Sequence, residues 1–442
     1  MTKNPSPDQR WLRAALLRDT NFRWLSAGAA LSMLGDQFTL IALPWLVLRM
    51  TGDTGMLGIV LALISVPRAA FILVGGALVD RHSPKQVMMV TKYINTVLLG
   101  TLAALVLTGS LALWMVYALA LAIGLSTAFS IPAGTAMLPS VVQPAQLQAA
   151  NGIQLGLRQL SMFLGPLLAG LLIALFGDGA TGQIAGTANA TGIGLAFGFN
   201  AFSFAFSAWT LAHVRTHAVA PRPGAPAAAP QAMLAAVGQG LAHFWRDRAL
   251  RTCFVYWGAV ALLIMGPIQI AIPVLAEATP ALGAAAFGTM LGAHGAGMLA
   301  GMVASGALPR LRLGSLGLTI LAIDAVIGLL FIPMGHITAL WQGAGLMLAV
   351  GLLGGFMQVS VFTWIQQRVP PALLGRAMSL FMFIFMGLVP LSSAVTGWLM
   401  KSITLPQLFA SSGGCLLGLA AVAGLFSPMR AVRDAVPLRS PG

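Results

Sequence analysis

Ile41-Ala42-Leu43-Pro44 returns 229 residues later as Ile270-Ala271-Ile272-Pro273. At a shift of 230, Gly58 falls on Gly288 and Gly76-Ala77-Leu78 on Gly306-Ala307-Leu308. At 227, Gly124, Phe129, Pro144 and Gly170 fall on Gly351, Phe356, Pro371 and Gly397. Any one of these matches is weak. A nearly constant shift across several segments describes a chain built from two like halves in the same order.

What surrounds these segments is apolar. Of 442 residues, 58% are hydrophobic and only 8% charged, where a soluble domain carries about 25% charged residues. Such a chain cannot solvate its own surface, which excludes soluble globular and disordered classes alike. A bilayer span takes about 20 predominantly apolar residues. That length finds twelve candidates, near 23–48, 56–79, 86–109, 112–134, 150–176 and 192–213, then 250–276, 284–308, 314–334, 339–366, 374–400 and 406–427. The first run lacks a small-residue cleavage site and reads as a span, not a signal peptide. The expected fold is an all-α integral membrane protein of twelve transmembrane helices in two pseudo-symmetric six-helix bundles. Its parts are a cytoplasmic segment at 1–22, bundles at 23–213 and 250–427, a linker at 214–249 and a tail at 428–442. Within the linker, Ala218 to Pro230 is Pro/Ala-rich and flexible in character. Leu234, Val237, Leu241 and Phe244 follow at helical spacing, the pattern of an amphipathic helix on the membrane face.

The net charge of +14 is a matter of topology and does not point to nucleic acid. With the N-terminus in the cytoplasm, that side collects twenty Lys and Arg, Lys85 and Lys92 among them, and the other keeps Arg49 and Lys401. The bias sets both termini in the cytoplasm, here of a bacterial inner membrane. Cys253 and Cys415 make no disulfide framework, and no Cys/His cluster suggests a metal. There is no phosphate loop, no Ser/His/Asp arrangement in a soluble domain and no nucleotide-binding appendage. No enzyme, no cofactor, no ATP-driven pump and no obligate protein partner is therefore expected. Parallel halves of six spans are a transporter design, with the small-molecule site near mid-membrane between them.

The loop after the second span reads Gly75-Gly76-Ala77-Leu78-Val79-Asp80-Arg81-His82-Ser83-Pro84-Lys85. It resembles the loop 2–3 signature of the major facilitator superfamily in Gly76, Asp80, Arg81 and Lys85, with Ser83 and Pro84 where the family has Gly and Arg. The stretches Leu34-Gly35-Asp36-Gln37, Asn151 through Arg158-Gln159 to Gly165-Pro166, and Gly240-Leu241 to Phe244-Trp245-Arg246 resemble its drug:proton antiporter branch. The resemblance covers about residues 20 to 430. It implies that Asp80 lies near the N-terminus of the eleventh span, around Pro370-Pro371 and Arg376, where a carboxylate favoured by the helix end holds the cytoplasmic side closed. Arg81 and Lys85 would add an ionic latch, or are plain positive-inside charge. Gly165-Pro166 resembles the antiporter signature, and its proline would bend the fifth span.

A charged side chain at mid-membrane costs at least ~2.5–3.5 kcal/mol and needs a partner or a cavity. Asp36, Arg68, Arg158, His294 and Asp324 stand out within the spans. Asp36 reads as a proton carrier or cation site, or as a structural carboxylate paired with Arg68 or Arg158. The two arginines hold an anionic substrate group, tune Asp36 or lock the bundle. His294 couples protons or is packed, and Asp324, on a span that is usually peripheral, reads first as packing or lipid edge. Phe362, Trp364, Phe381 and Phe385, with Met378, Met382 and Met386, would give a soft aromatic wall suited to bulky amphipathic molecules. The expected activity is proton-coupled efflux of amphipathic, drug-like small molecules. Alternatives are a dedicated carrier of a siderophore, lysophospholipid or other metabolite, and a non-transporting sensor of the same fold.

Overall fold

A computed structural model describes residues 15–81, 83–176, 191–216, 245, 247–278, 283–308, 311–369, 377, 380, 381, 384, 385 and 387–432, with backbone alone at 69, 72–81, 144 and 278. It is helical, with no β-strand among the described residues. In chain order the helices are α1 Thr20–Thr51, α2 Thr54–Arg81, α3 Pro84–Leu107, α4 Leu113–Met137, α5 Leu147–Phe176 and α6 Thr191–His213. They continue as α7 Arg248–Glu277, α8 Gly283–Ala307, α9 Leu316–Phe331, α10 Leu340–Arg368, α11 Val389–Leu399 and α12 Leu405–Phe426. Among the described residues, ten of these helices are long and apolar enough to cross a bilayer. At the other two positions the described apolar lengths are shorter, Thr54–Arg68 in α2 and Val389–Leu399 in α11. The expected amphipathic helix in the linker, Arg376 and the tail beyond 432 lie outside the described residues.

Flanking residues cap several of the helices. Asp19 accepts from the Phe22 N–H at 2.9 Å to open α1, and Ser83 accepts from Gln86 at 3.2 Å to open α3, with Pro84 in its first turn. Gly52 closes α1 at φ 61, a conformation that favours glycine, and its N–H reaches the Leu48 carbonyl at 2.7 Å.

The chain forms two compact units: Met1–Gly52 with Leu63–Ala225, and Asp53–Ala62 with Pro226–Gly442. In the first, α1 packs on α6 and α5, and α3 on α6 and α4. In the second, α8 packs on α10, α9 on α12, and α7 on α11. Lipid is as apolar as leucine, so such contacts rest on close packing more than on the hydrophobic effect. The α8–α10 crossing uses it fully. A Cβ on Gly297 or Gly301 would run into the Leu348 or Leu352 carbonyl, and one on Gly351 or Gly355 into the carbonyls of His294 and Met298.

The repeated Ile270-Ala271-Ile272-Pro273 begins within a π-helical turn, Pro267–Ala271, in α7. Just before it, a side chain from α11 reaches the backbone of α7. Ser392 Oγ accepts from the Gly266 N–H at 2.7 Å and donates to the Leu262 carbonyl at 2.6 Å. One hydroxyl thus bonds both a backbone donor and a backbone acceptor one helical turn apart. Ser393 beside it is equally buried but its Oγ has no partner. Ser392→Ala removes both hydrogen bonds and should therefore lower stability by about 1–3 kcal/mol, whereas Ser393→Ala should be nearly neutral. Thermal unfolding of the two purified variants checks this, and equal effects would contradict it.

Candidate functional site

The first unit gathers its in-span charges around the middle of α1. Asp36 is exposed there, while the groups that act on it are the ammonium of Lys92 on α3, the guanidinium of Arg68 on α2 and the side-chain amide of Asn200 on α6, which is hydrogen-bonded to it. Asn200 is 1% exposed and fixed from several sides. Its Nδ2 donates to Thr39 Oγ1 at 2.7 Å, and Ser203 Oγ donates to its Oδ1 at 2.9 Å. The approach of α6 depends on Gly35, where a Cβ would strike Ser203 and Asn200. The sequence motif around Asp36 thus supplies both the acid and the space beside it.

Lys92 corrects an expectation. It was counted with the cytoplasmic loop charges, yet it lies in α3, about 12 Å along the helix from Pro84, and is 6% exposed. Its Nζ donates to Ser32 Oγ at 2.9 Å and stands 4.7 Å from the centroid of the Phe204 ring. The sequence did hold a signal: Thr91, Lys92, Asn95 and Thr96 form a polar stripe at helical spacing. Of the two arginines, Arg68, half-buried, acts on Asp36, whereas Arg158 on α5 is exposed and has no part in the Asp36 cluster. Gly165 and Pro166 are buried in α5, which stays helical through the proline, and Gly165 faces Gln37 of α1.

In the second unit, Asp324 is 0% exposed, so the lipid-edge reading gives way to a buried one. Tyr256 Oη of α7 donates to its Oδ2 at 2.8 Å, and Oδ1 has no partner. His294 is half-buried at the α8–α10 crossing, its ring bonded to the Met347 backbone and its Nδ1 unpartnered. These residues are not brought to one place. The aromatic residues are: Trp257 of α7, which the sequence did not single out, stands 5.5 Å from Phe381 and 6.3 Å from Trp364, and Phe381 lies 5.0 Å from Phe362 and 4.7 Å from Phe385, centroid to centroid.

Of the loop 2–3 residues, the backbones of Gly76, Asp80 and Arg81 end α2, and their side chains, like Arg376, lie outside the description. Lys85 is placed: Nζ donates to the carbonyls of Ala212 at 3.1 Å and Val214 at 2.7 Å, closing the C-terminal end of α6. A clasp that the sequence did not reveal joins the start of α7 to the end of α10. Asp247 caps α7 by accepting from Ala249 and Leu250, and Arg368 donates to both its oxygens at 3.0 and 3.1 Å. Burial pushes the Asp247 carboxyl up, but the Arg368 hydrogen bonds and charge with the two helix N–H groups outweigh it and hold it below the usual carboxylate range. Among the described residues no group of His, Cys, Asp and Glu could hold a metal.

A family model described as Major Facilitator Superfamily matches residues 25–394. The multidrug efflux pump Tap of Mycobacterium tuberculosis is 29% identical over 231 residues, 49% of each chain. Macrolide efflux protein A of Streptococcus pyogenes is 28% identical over 155 residues, 35% of this chain and 38% of its own. The chain thus spans about half the length, or less, of these curated relatives. The crystal structure of nucleoside transporter NupG superposes with a TM-score of 0.69 over 91% of this chain and 98% of that one, at 13% identity, a likeness of fold alone.

The Asp247 clasp carries a pH prediction. Its folded-state pKa lies below the unfolded one, so its contribution is present above about pH 4 and is lost as acid protonates the native carboxylate. With Arg368 34% and Asp247 26% exposed, solvent screening limits that contribution to about 1 kcal/mol. Asp247→Asn should therefore melt below wild type at pH 7.5, and the gap should close below about pH 4; thermal unfolding at both values decides it.

Proposed function

The chain belongs to the Major Facilitator Superfamily, and from that premise we propose that it is a secondary transporter exporting amphipathic small molecules in exchange for protons. The observation that carries this reading is an exposed carboxylate at the midpoint of α1, Asp36, set beside the charges of Lys92 and Arg68 and bonded to Asn200. An acid in hydrocarbon is costly unless it is used or matched. One that remains accessible is suited to take a proton from one side and release it to the other.

The two halves, 23–213 and 250–427, joined by the linker 214–249, work by alternating access in the cytoplasmic membrane, with both termini in the cytoplasm. The energy source is the proton gradient, and Asp36 is the coupling acid. The aromatic cluster of Trp257, Trp364 and Phe381 supports a bulky apolar cargo. Asp80, at the end of α2, gates the cytoplasmic side with Arg376. The names of the relatives, a multidrug and a macrolide efflux protein, agree with export of drug-like molecules. A dedicated carrier of an acidic metabolite is the second reading, favoured by the two cations that face the single acid.

Dissipation of a pH gradient in inverted vesicles tests the reading, with macrolides, siderophores, and uncharged and cationic drugs as the panel. At least one compound should collapse the gradient, and Asp36→Asn should reduce that response more than tenfold while inserting normally. A wild-type protein silent to every compound would overturn proton antiport. Asp80→Asn should slow the same response several-fold without loss of protein from the membrane, and a fully active variant would remove Asp80 from the gate.

A further inference from the structure

Lys92 sits in surroundings that recognise an ammonium ion. A hydroxyl oxygen, Ser32 Oγ, accepts one of its protons at 2.9 Å. The face of an aromatic ring, Phe204, lies 4.7 Å away, within the range in which a ring quadrupole attracts a cation. One helical turn beyond Ser32, Asp36 supplies the opposite charge. Ser32, Phe204 and Lys92 are 5%, 7% and 6% exposed. The amine therefore does not reach toward water, as a lysine near a helix end does. We propose that Lys92 is the resident cation of a ready-made ammonium site, formed by Ser32, Phe204 and Asp36, and that by filling it the lysine confines transported substrates to those bringing no permanent positive charge.

The charge balance supports the second half. Asp36 faces two cations, Lys92 and Arg68, so the cluster carries one positive charge in excess. The other elements packed against it do not correct this: α6 contributes Asn200 and no acid, α5 carries Arg158, which is exposed, and α4 has no acid. A proton bound by Asp36 leaves the cluster with two positive charges. In a low-dielectric setting a third cation is repelled, while a neutral molecule, or one with a carboxylate or phosphate, is not. A weak base can pass as its neutral form. The charge selection rests on the transporter reading; the ammonium site does not.

The two parts are tested separately. Purified Lys92→Ala vacates the site, and n-butylammonium chloride should raise its melting temperature saturably, as ligand binding to the folded state does. Butan-1-ol should not, and neither wild type nor the double variant Asp36→Asn/Lys92→Ala should respond to the amine. If the alanine variant does not fold, Lys92→Gln takes its place with the same probe. No stabilisation of the vacated site, or equal stabilisation of wild type, would overturn the ammonium site. In inverted vesicles, tetraphenylphosphonium should leave the wild-type pH gradient intact and collapse it at least tenfold faster through Lys92→Gln, whereas Lys92→Arg, which keeps the charge, should behave as wild type. A wild type as responsive to tetraphenylphosphonium as Lys92→Gln would overturn the selection. Silence of all variants toward compounds of every charge would instead overturn the transporter reading, and the butylammonium result would still decide the site.

Discussion

Hydrocarbon solvates neither charges nor backbone dipoles, so each polar group that these helices carry below the membrane surface must be met from within the chain. In the first unit that demand shapes the packing itself. Asn200 can reach Asp36 because Gly35 lets α6 lie against α1 without a Cβ between them. Gly28, two turns earlier, does the same beside Ser207 and Thr210. The glycines of α1 are therefore part of the site as much as the acid is. A larger residue at Gly35 would separate the helices and leave a carboxylate without its amide.

The same demand falls on the backbone. Beside the π-turn in α7, one hydroxyl from α11 bonds both a backbone N–H and a backbone carbonyl. The ends of α1, α3 and α12 are closed by side chains at Asp19, Ser83 and Thr404. Where a helix end has no such neighbour, a cation serves: Lys85 bonds the carbonyls at the end of α6, where a positive charge is also favoured by the helix dipole. A loop residue of the family signature thus has a structural task within its own unit, beside any part it takes in gating.

Much of this was legible in the sequence because bilayer thickness and helix rise together dictate the length of an apolar run. Where whole helices are described, the runs and the observed helices differ by about three residues or fewer at their ends. The doubling at a shift of 227 to 230 was legible for the same reason, since like halves keep like glycines and prolines. Contacts across the chain were not. Lys92 is close in sequence to Lys85 and was grouped with it, but a helix turns charge inward as readily as outward, and only the neighbouring Thr91 and Asn95 marked its face. Asp324 gave no sign of Tyr256, 68 residues away, and Asp247 none of Arg368, 121 residues away. Linear patterns report how long a buried element is; they do not report which element lies against it.

The two halves also solve one problem with opposite charges. In the first, the third helix carries a cation, Lys92, that bonds a hydroxyl of the first helix, Ser32. In the second, the corresponding third helix carries an acid, Asp324, that accepts from a hydroxyl of its own first helix, Tyr256. The joints differ in what stands behind them. Lys92 has Asp36 as counter-charge on the helix it touches, so its bond belongs to an electrostatic network that includes an exposed acid. Asp324 is wholly buried and has a single hydrogen-bonded oxygen. A carboxyl so placed is costly to bury without a partner, and the Tyr256 hydrogen bond ties α9 to α7. The duplication that made the fold symmetric left its chemistry asymmetric, with a buried cation beside an exposed acid in the first half and a buried acid held by a hydroxyl in the second.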